Sequence, residues 1–245
     1  MAVTVMQRHE MKYLLNASQT ARLLRRLEEH MKIDEYGLTS IASLYYDTPD
    51  ARLVRASLEK PVFKEKLRLR SYGLATDVSP VYLELKRKYD GIVYKRRVPS
   101  TVPDVERFFA GEDSLGGDRQ IRKELAAFRD HYGTLVPACL VVYDRAAYVG
   151  SDGDLRLTVD HRPRYRTGDL TLTESLDGLP LLEEGWTILE AKVQGAVPLW
   201  LSAALSEGGI FKNSFSKYGE AYRRELLRRK ERPKDTCAPF YLGVA

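Results

Sequence analysis

Residues 63–73 read FKEKLRLRSYG, with Lys64, Lys66, Arg68 and Arg70 at every second position and Phe63, Leu67 and Leu69 in most of the gaps. Side chains of a β-strand alternate between two faces, so the spacing predicts a strand with four cations in line on one side and an apolar row on the other. Four like charges in a row repel one another, so whatever lies opposite them decides both fold and function.

The same alternation recurs along the chain. Arg8, Glu10 and Lys12 share one face of RHEMKY, and Lys95 and Arg97 share one face of VYKRRV. Glu84 and Lys86 oppose Val81, Leu83 and Leu85, while Tyr143 pairs with Arg145 in VYDRAAY. Arg156 and Asp160 oppose Leu155, Leu157 and Val159, and Glu190 and Lys192 oppose Leu189, Ala191 and Val193. One such strand is what any half-exposed antiparallel strand shows. Seven of them, with Lys217 added from FSKYGEAY, collect twelve cations: Arg8, Lys12, Lys66, Arg68, Arg70, Lys86, Lys95, Arg97, Arg145, Arg156, Lys192 and Lys217. Four carboxylates stand against them: Glu10, Glu84, Asp160 and Glu190.

Eight strand-like runs are expected, at 6–14, 40–47, 62–72, 80–89, 91–99, 139–149, 154–160 and 186–195. Asp90-Gly91 and the stretch 150–153 are hairpin signals, so the sheet is antiparallel. Helices interrupt it: one capped by Ser18 and running to about Met31, a helical stretch over 104–132, a short one after Pro198 and a basic one from 217. With no low-complexity linker, residues 1–232 read as a single α+β domain and 233–245 as an irregular tail. Two geometries host the pattern. In an open sheet the charged face is solvated. In a closed barrel of about eight strands the charges line a lumen. A lumen this cationic repels itself unless a polyanion fills it. Phosphate chains suit it, because arginine grips phosphate bidentately and lysine adds point charge. The carboxylates then suit Mg²⁺ or Mn²⁺, which takes one or two carboxylates plus phosphate oxygens.

Composition narrows the classes. The formal charge is only +5, so arrangement matters more than total. Fifteen tyrosines against two tryptophans fit a strand-rich protein. Cys139 and Cys237 lack metal-like spacing, and the chain shows neither a signal peptide nor a membrane-length apolar run, so a soluble cytoplasmic protein is expected. Nucleic acid is not expected as a partner: the basic strands show no compact aromatic stacking platform, and interleaved acids repel a long phosphate backbone.

The ordered motifs RHEMKY, SLYYDTPD, KLRLRSYG, YLELKRK, YKRRV, YDR, LRLTVD, LEAKV and FSKYGEAY resemble the VTC domain, the polyphosphate polymerase domain of the triphosphate tunnel (CYTH-like) superfamily. The resemblance spans about residues 6–226 and implies an eight-stranded antiparallel closed β-barrel with helices packed outside. It also implies transfer of the ATP γ-phosphate to a polyphosphate chain, with a divalent metal. Carried onto this chain, phosphate would be gripped by Lys12, Arg68, Arg70, Lys86, Lys95, Arg145, Arg156 and Lys217, with Tyr143 and Ser216 donating hydrogen bonds and Glu190 as the best metal ligand. Arg8 stands where the superfamily's E-x-E-x-K signature has its first acid, and Ser214 where a polymerase member can carry a lysine.

The expected catalytic set is therefore Arg68, Arg70, Arg145, Arg156 and Lys217. Arg8, Lys12, Lys66, Lys86, Lys95, Arg97, Tyr143, Lys192 and Ser216 bind phosphate, and Glu190, Glu10, Glu84 and Asp160 are the metal candidates. ATP, polyphosphate and pyrophosphate are the expected ligands, and export would fall to a separate membrane-protein partner. A tri- or polyphosphatase and a non-catalytic polyphosphate sensor are the alternatives. Plainer roles compete at single residues: Asp160 satisfying a neighbouring arginine, Asp47 making a turn before Pro49, and RRELLRRK forming a solvated helix face.

Overall fold

The structure, a computed structural model, describes residues 9–90, 92–150, 155–193 and 195–231. In chain order the elements are β1 (His9–Leu15), α1 (Ala17–His30), β2 (Met31–Asp47), α2 (Arg52–Leu58), β3 (Phe63–Tyr72), β4 (Val81–Tyr89), β5 (Ile92–Ser100) and α3 (Val102–Phe109). They continue with α4 (Arg119–Tyr132), β6 (Val136–Gly150), β7 (Leu155–Arg166), β8 (Leu179–Pro180), β9 (Thr187–Val193), α5 (Leu199–Glu207), β10 (Lys212–Asn213) and α6 (Lys217–Glu231).

The strands form one ten-stranded sheet in the order β10-β1-β9-β7-β6-β2-β3-β4-β5, with β8 paired to β7. The fold is mixed α+β, as the alternation implied. The eight expected strands are all present; β8 and β10, of two residues each, are too short to carry a period. The expected closed barrel is not what the ladder shows. Its pairings run as an open path, and among the described residues no ladder joins β5 to the other end, where β10 offers only two residues.

The chain divides into two compact units, and the boundary falls inside β2, β6 and β7. Among the described residues the first holds 9–40, 143–163 and 180–216, and the second holds 41–142, 164–179 and 217–231. The tail expected at 233–245 lies outside the described residues.

In the first unit, Leu15, Leu23, Leu27, Leu157, Leu189, Ala191 and Leu201 form a buried core, so α1 and α5 cover the apolar side of β1, β9 and β7. The cap of α1 is Asn16 rather than Ser18. Its side chain accepts from the Gln19 N–H at 2.9 Å, while the Gln19 side chain accepts from the Asn16 N–H at 3.0 Å. This reciprocal capping box satisfies two donors that Ser18, two residues too late, leaves unmet.

In the second unit, Leu67, Leu69, Leu83 and Leu85 pack with Val98, Val105, Phe108, Leu125 and Phe128 under α3 and α4. Each leucine contributes on the order of 2 kcal/mol of burial. Thus the apolar row of residues 63–73 is indeed the core face. Glu65 is its exception, buried and paired with Arg87 at 2.6 Å and with the Tyr132 hydroxyl at 2.9 Å. β4 and β5 meet at Tyr89↔Ile92, with Asp90 in the left-handed region at φ 44°. Gly91, the other half of the expected turn, lies outside the described residues, as do 151–153 of the second.

Candidate phosphate site

Register turns the rows of the second unit into rungs. Tyr45 lies across from Arg68, Arg68 from Glu84, and Glu84 from Arg97. One rung along, Lys66, Lys86 and Lys95 stand side by side. One rung the other way, Ser43, Arg70 and Tyr82 line up. Because residues two apart share a face, all of these side chains emerge on the same side of the sheet.

Glu84 is the hub. Its side chain is 1 % exposed, yet Arg68 reaches it at 2.7 and 2.8 Å, Lys95 at 2.7 Å, Arg97 at 3.8 Å and Arg70 at 3.9 Å. Burial raises its pKa, but the charges of Arg68, Arg70 and Lys95 together outweigh that and hold it at about 2. Lys95 feels the converse. Desolvation, and repulsion from Arg68 and Arg70, overcome the pull of Glu84 and lower its pKa to about 8. Arg68 also donates to the Tyr45 hydroxyl at 3.3 Å, and Arg70 to the Ser43 hydroxyl at 3.3 Å. One carboxylate thus faces four cations, a net positive group around a buried acid. This placement suits Glu84 to orienting arginines better than to holding a dication.

Two further second-unit features matter. Lys217 opens α6, half-buried, beside Tyr218. Arg97 lies over the Tyr82 ring at 3.5 Å and near the Tyr72 ring at 5.9 Å, and the two tyrosines meet edge to face at 5.9 Å. The sequence reading missed this aromatic group, because Tyr72 and Tyr82 become neighbours only through the β3–β4 register. Asp47, expected to make a turn, does more: it accepts from the N–H groups of Thr48, Leu53 and Val54, so it caps α2, a helix the sequence reading did not anticipate.

The first unit carries its own mixed group. Lys12 faces Glu190, which faces Thr158; Glu10 faces Lys192, which faces Arg156. Arg145 holds Asp160 with two bonds, Nε at 2.6 Å and Nη2 at 2.9 Å, and Asp160 is wholly buried. Burial opposes the Arg145 charge, but Tyr143 5.0 Å below it, with Asp160 and Glu190, raises its pKa further. Glu190 lies 3.3 Å from Lys192 and 3.7 Å from Arg145, and Glu10 3.5 Å from Lys12. Arg156 is 53 % exposed and turned to Asp34 at 3.6 Å. Ser216 is half-buried at the end of this unit. Arg8 lies outside the described residues.

Among the described residues no three His, Cys, Asp or Glu side chains cluster as a protein-only metal cage. A magnesium-type ion needs no such cage, since one or two carboxylates suffice when phosphate oxygens complete the shell. Glu10 and Glu190 meet that requirement on adjacent strands. Beside Glu190 the buried Thr158 hydroxyl has no hydrogen-bond partner among the described residues. Asp160, with both oxygens on Arg145, fits a metal poorly.

The sequence pattern of the VTC domain matches residues 7–225. The chain belongs to the VTC domain family. That membership agrees with the nine ordered motifs. No curated protein matches it. Among solved structures, it is similar to an adenylate cyclase candidate from Bacillus halodurans, with TM-score 0.53 and 15% identity over 86% of this chain and 96% of that one. It is also similar to an adenylyl cyclase candidate from Hippeastrum described as having a dominant triphosphatase activity, with TM-score 0.50 and 20% identity over 90% and 96% of the two chains. At these identities the likeness is one of fold. Among the described residues no helix is long and apolar enough to cross a membrane.

Proposed function

We propose that this VTC-family chain is a metal-dependent phosphotransferase that passes the γ-phosphate of ATP to a polyphosphate chain. The observation that carries this reading is the Glu84 group: four cations converge on one buried carboxylate, an excess of positive charge that a bound polyanion relieves.

Arg68, Arg70, Lys95 and Arg97 grip phosphate oxygens, and Glu84 fixes the arginine forks before substrate arrives. Lys66 and Lys86 extend the charge along the row, and Lys217 adds to it. In the first unit, Arg145 is a phosphate-facing arginine locked by Asp160. Lys12, Lys192 and Arg156 add charge, and Tyr143 and Ser216 donate hydrogen bonds. Glu10 and Glu190, with the Thr158 hydroxyl near, would hold Mn²⁺ or Mg²⁺. When bound, the ion neutralises charge on the diphosphate leaving group. The acceptor is a terminal phosphate, already anionic, so no general base is needed.

Water in place of that acceptor makes the same residues a tri- or polyphosphatase, and triphosphatase is the dominant activity described for the Hippeastrum protein. The test is incubation with ATP, Mn²⁺ and a tripolyphosphate primer. ADP with lengthened chains supports the polymerase. Free phosphate without chains moves the reading to hydrolysis, and binding without turnover to a sensor.

A further inference from the structure

The charged row of the second unit is not uniform from end to end. Its middle is Arg68–Glu84–Arg97. Toward one end come the lysine rungs Lys66–Lys86–Lys95 and Lys64–Lys88. Toward the other come Arg70 with Tyr82 and then Tyr72, two residues beyond Arg70 on the same face. A ligand made only of phosphate has no use for aromatic rings at one end. A nucleoside triphosphate does.

Resting on the phosphate-gripping reading of the Glu84 group, we infer that Tyr72, Tyr82 and Arg97 form the platform on which the nucleobase of the triphosphate stacks. Three observations carry this. Tyr72 is a large aromatic side chain left 48 % exposed at the end of a strand whose other face is core. Arg97 spans the two chemistries: its guanidinium carbon lies 3.5 Å from the Tyr82 ring centroid, while its Nε lies 3.8 Å from Glu84. The edge-to-face contact of Tyr72 with Tyr82 at 79° fixes the orientation of the exposed ring. Aromatic and guanidinium planes are the surfaces on which unpaired bases stack, and such stacking tolerates any base. The platform therefore favours nucleoside triphosphates over inorganic triphosphate without selecting sharply among bases. It also gives the bound nucleotide a direction, with the base at the tyrosine end and the terminal phosphate pointing along the row toward the lysines.

The experiment is calorimetric titration of ATP and, separately, of inorganic tripolyphosphate into the wild-type chain, Tyr72→Leu and Tyr72→Phe. Tyr72 is exposed, so neither substitution disturbs the core. Tyr72→Leu is expected to weaken ATP binding about tenfold and leave tripolyphosphate within about twofold, with Tyr72→Phe close to wild type on both. GTP is expected to follow ATP. If Tyr72→Leu changes neither ligand, or weakens both alike, the platform is overturned while the phosphate reading stands. If the wild type binds neither ligand, both fall together.

Discussion

The Tyr218 hydroxyl donates to the buried Asp47 carboxylate at 2.7 Å, joining residues 171 positions apart. The same ring stacks on Tyr45 at 4.6 Å, and the Tyr45 hydroxyl accepts from Arg68. The first turn of α6, where Lys217 sits, is thereby tied to the cap of α2 and to the arginine that grips Glu84. Asp47 is fully buried, and burial raises its pKa against the hydrogen bonds from Tyr218, Leu53, Val54 and Thr48 that lower it.

Tyr218→Phe is expected to cost about 1.5–3 kcal/mol, the value of a hydrogen bond to a charged group. Asp47→Ala should cost about 3 kcal/mol or more, because it strands several buried donors at once. Urea unfolding measures both. Equal stability of Tyr218→Phe and wild type would show that this bond does not hold the helix.

Glu84 sets an acid limit on stability. Its folded pKa, about 2, lies below the ordinary 4.5, so the folded state binds its proton less readily than the unfolded chain. Stability from this group is complete above 4.5 and is lost as pH falls toward 2, to a total of about 3 kcal/mol. In Glu84→Gln the group no longer titrates, and the gap between the two proteins should narrow across that window. Glu84→Gln should also be destabilised near neutral pH and regain thermal stability when tripolyphosphate is added. A gap independent of pH would remove Glu84 from the centre of the cation group.

Lys95 supplies an alkaline limit on binding. With its pKa near 8, deprotonation removes one phosphate-gripping charge just above neutrality. Tripolyphosphate affinity should fall as pH rises from about 7 to about 9, and Lys95→Arg, which keeps its charge throughout, should flatten that fall. An identical profile in the variant would place the titration elsewhere.

The carboxylates of the first unit separate by metal dependence. Glu190→Gln should raise the Mn²⁺ concentration needed for half-maximal turnover, whereas Asp160→Asn should leave it unchanged. Asp160→Asn should instead cost about 3 kcal/mol of stability, since it breaks a buried pair and leaves the Arg145 charge to the more distant Glu190, 3.7 Å away. Activity measured against Mn²⁺ concentration, alongside thermal unfolding, distinguishes the two. A shifted metal requirement in Asp160→Asn would restore it as a ligand.

Much of this arrangement was legible because alternation depends only on local geometry. Lys66, Arg68 and Arg70 share a face by spacing alone, and so do Glu84 with Lys86 and Glu190 with Lys192. Partnership was not legible, because it depends on register between strands distant in sequence. Nothing in LRLTVD says that Asp160 meets Arg145 with both oxygens, nor in YLELKRK that Glu84 gathers four cations. Tyr72 and Tyr82 were invisible as a pair for the same reason. Asp47 looked like a turn residue because its partners, the N–H groups of α2 and the Tyr218 hydroxyl, leave no mark on the local pattern. The spacing could not choose between the open sheet and the closed barrel either, since closure depends on how the edge strands meet rather than on strand number.

The central claim is that the cations around Glu84 are a site for a chain of phosphates. Calorimetric titration of inorganic tripolyphosphate into the wild-type chain and into Arg68→Ala/Arg70→Ala tests it most directly, repeated at two salt concentrations. The expected result is saturable binding that weakens as salt rises and drops at least tenfold in the double variant. Binding equally tight in the double variant, or none to the wild type at millimolar ligand, would contradict it.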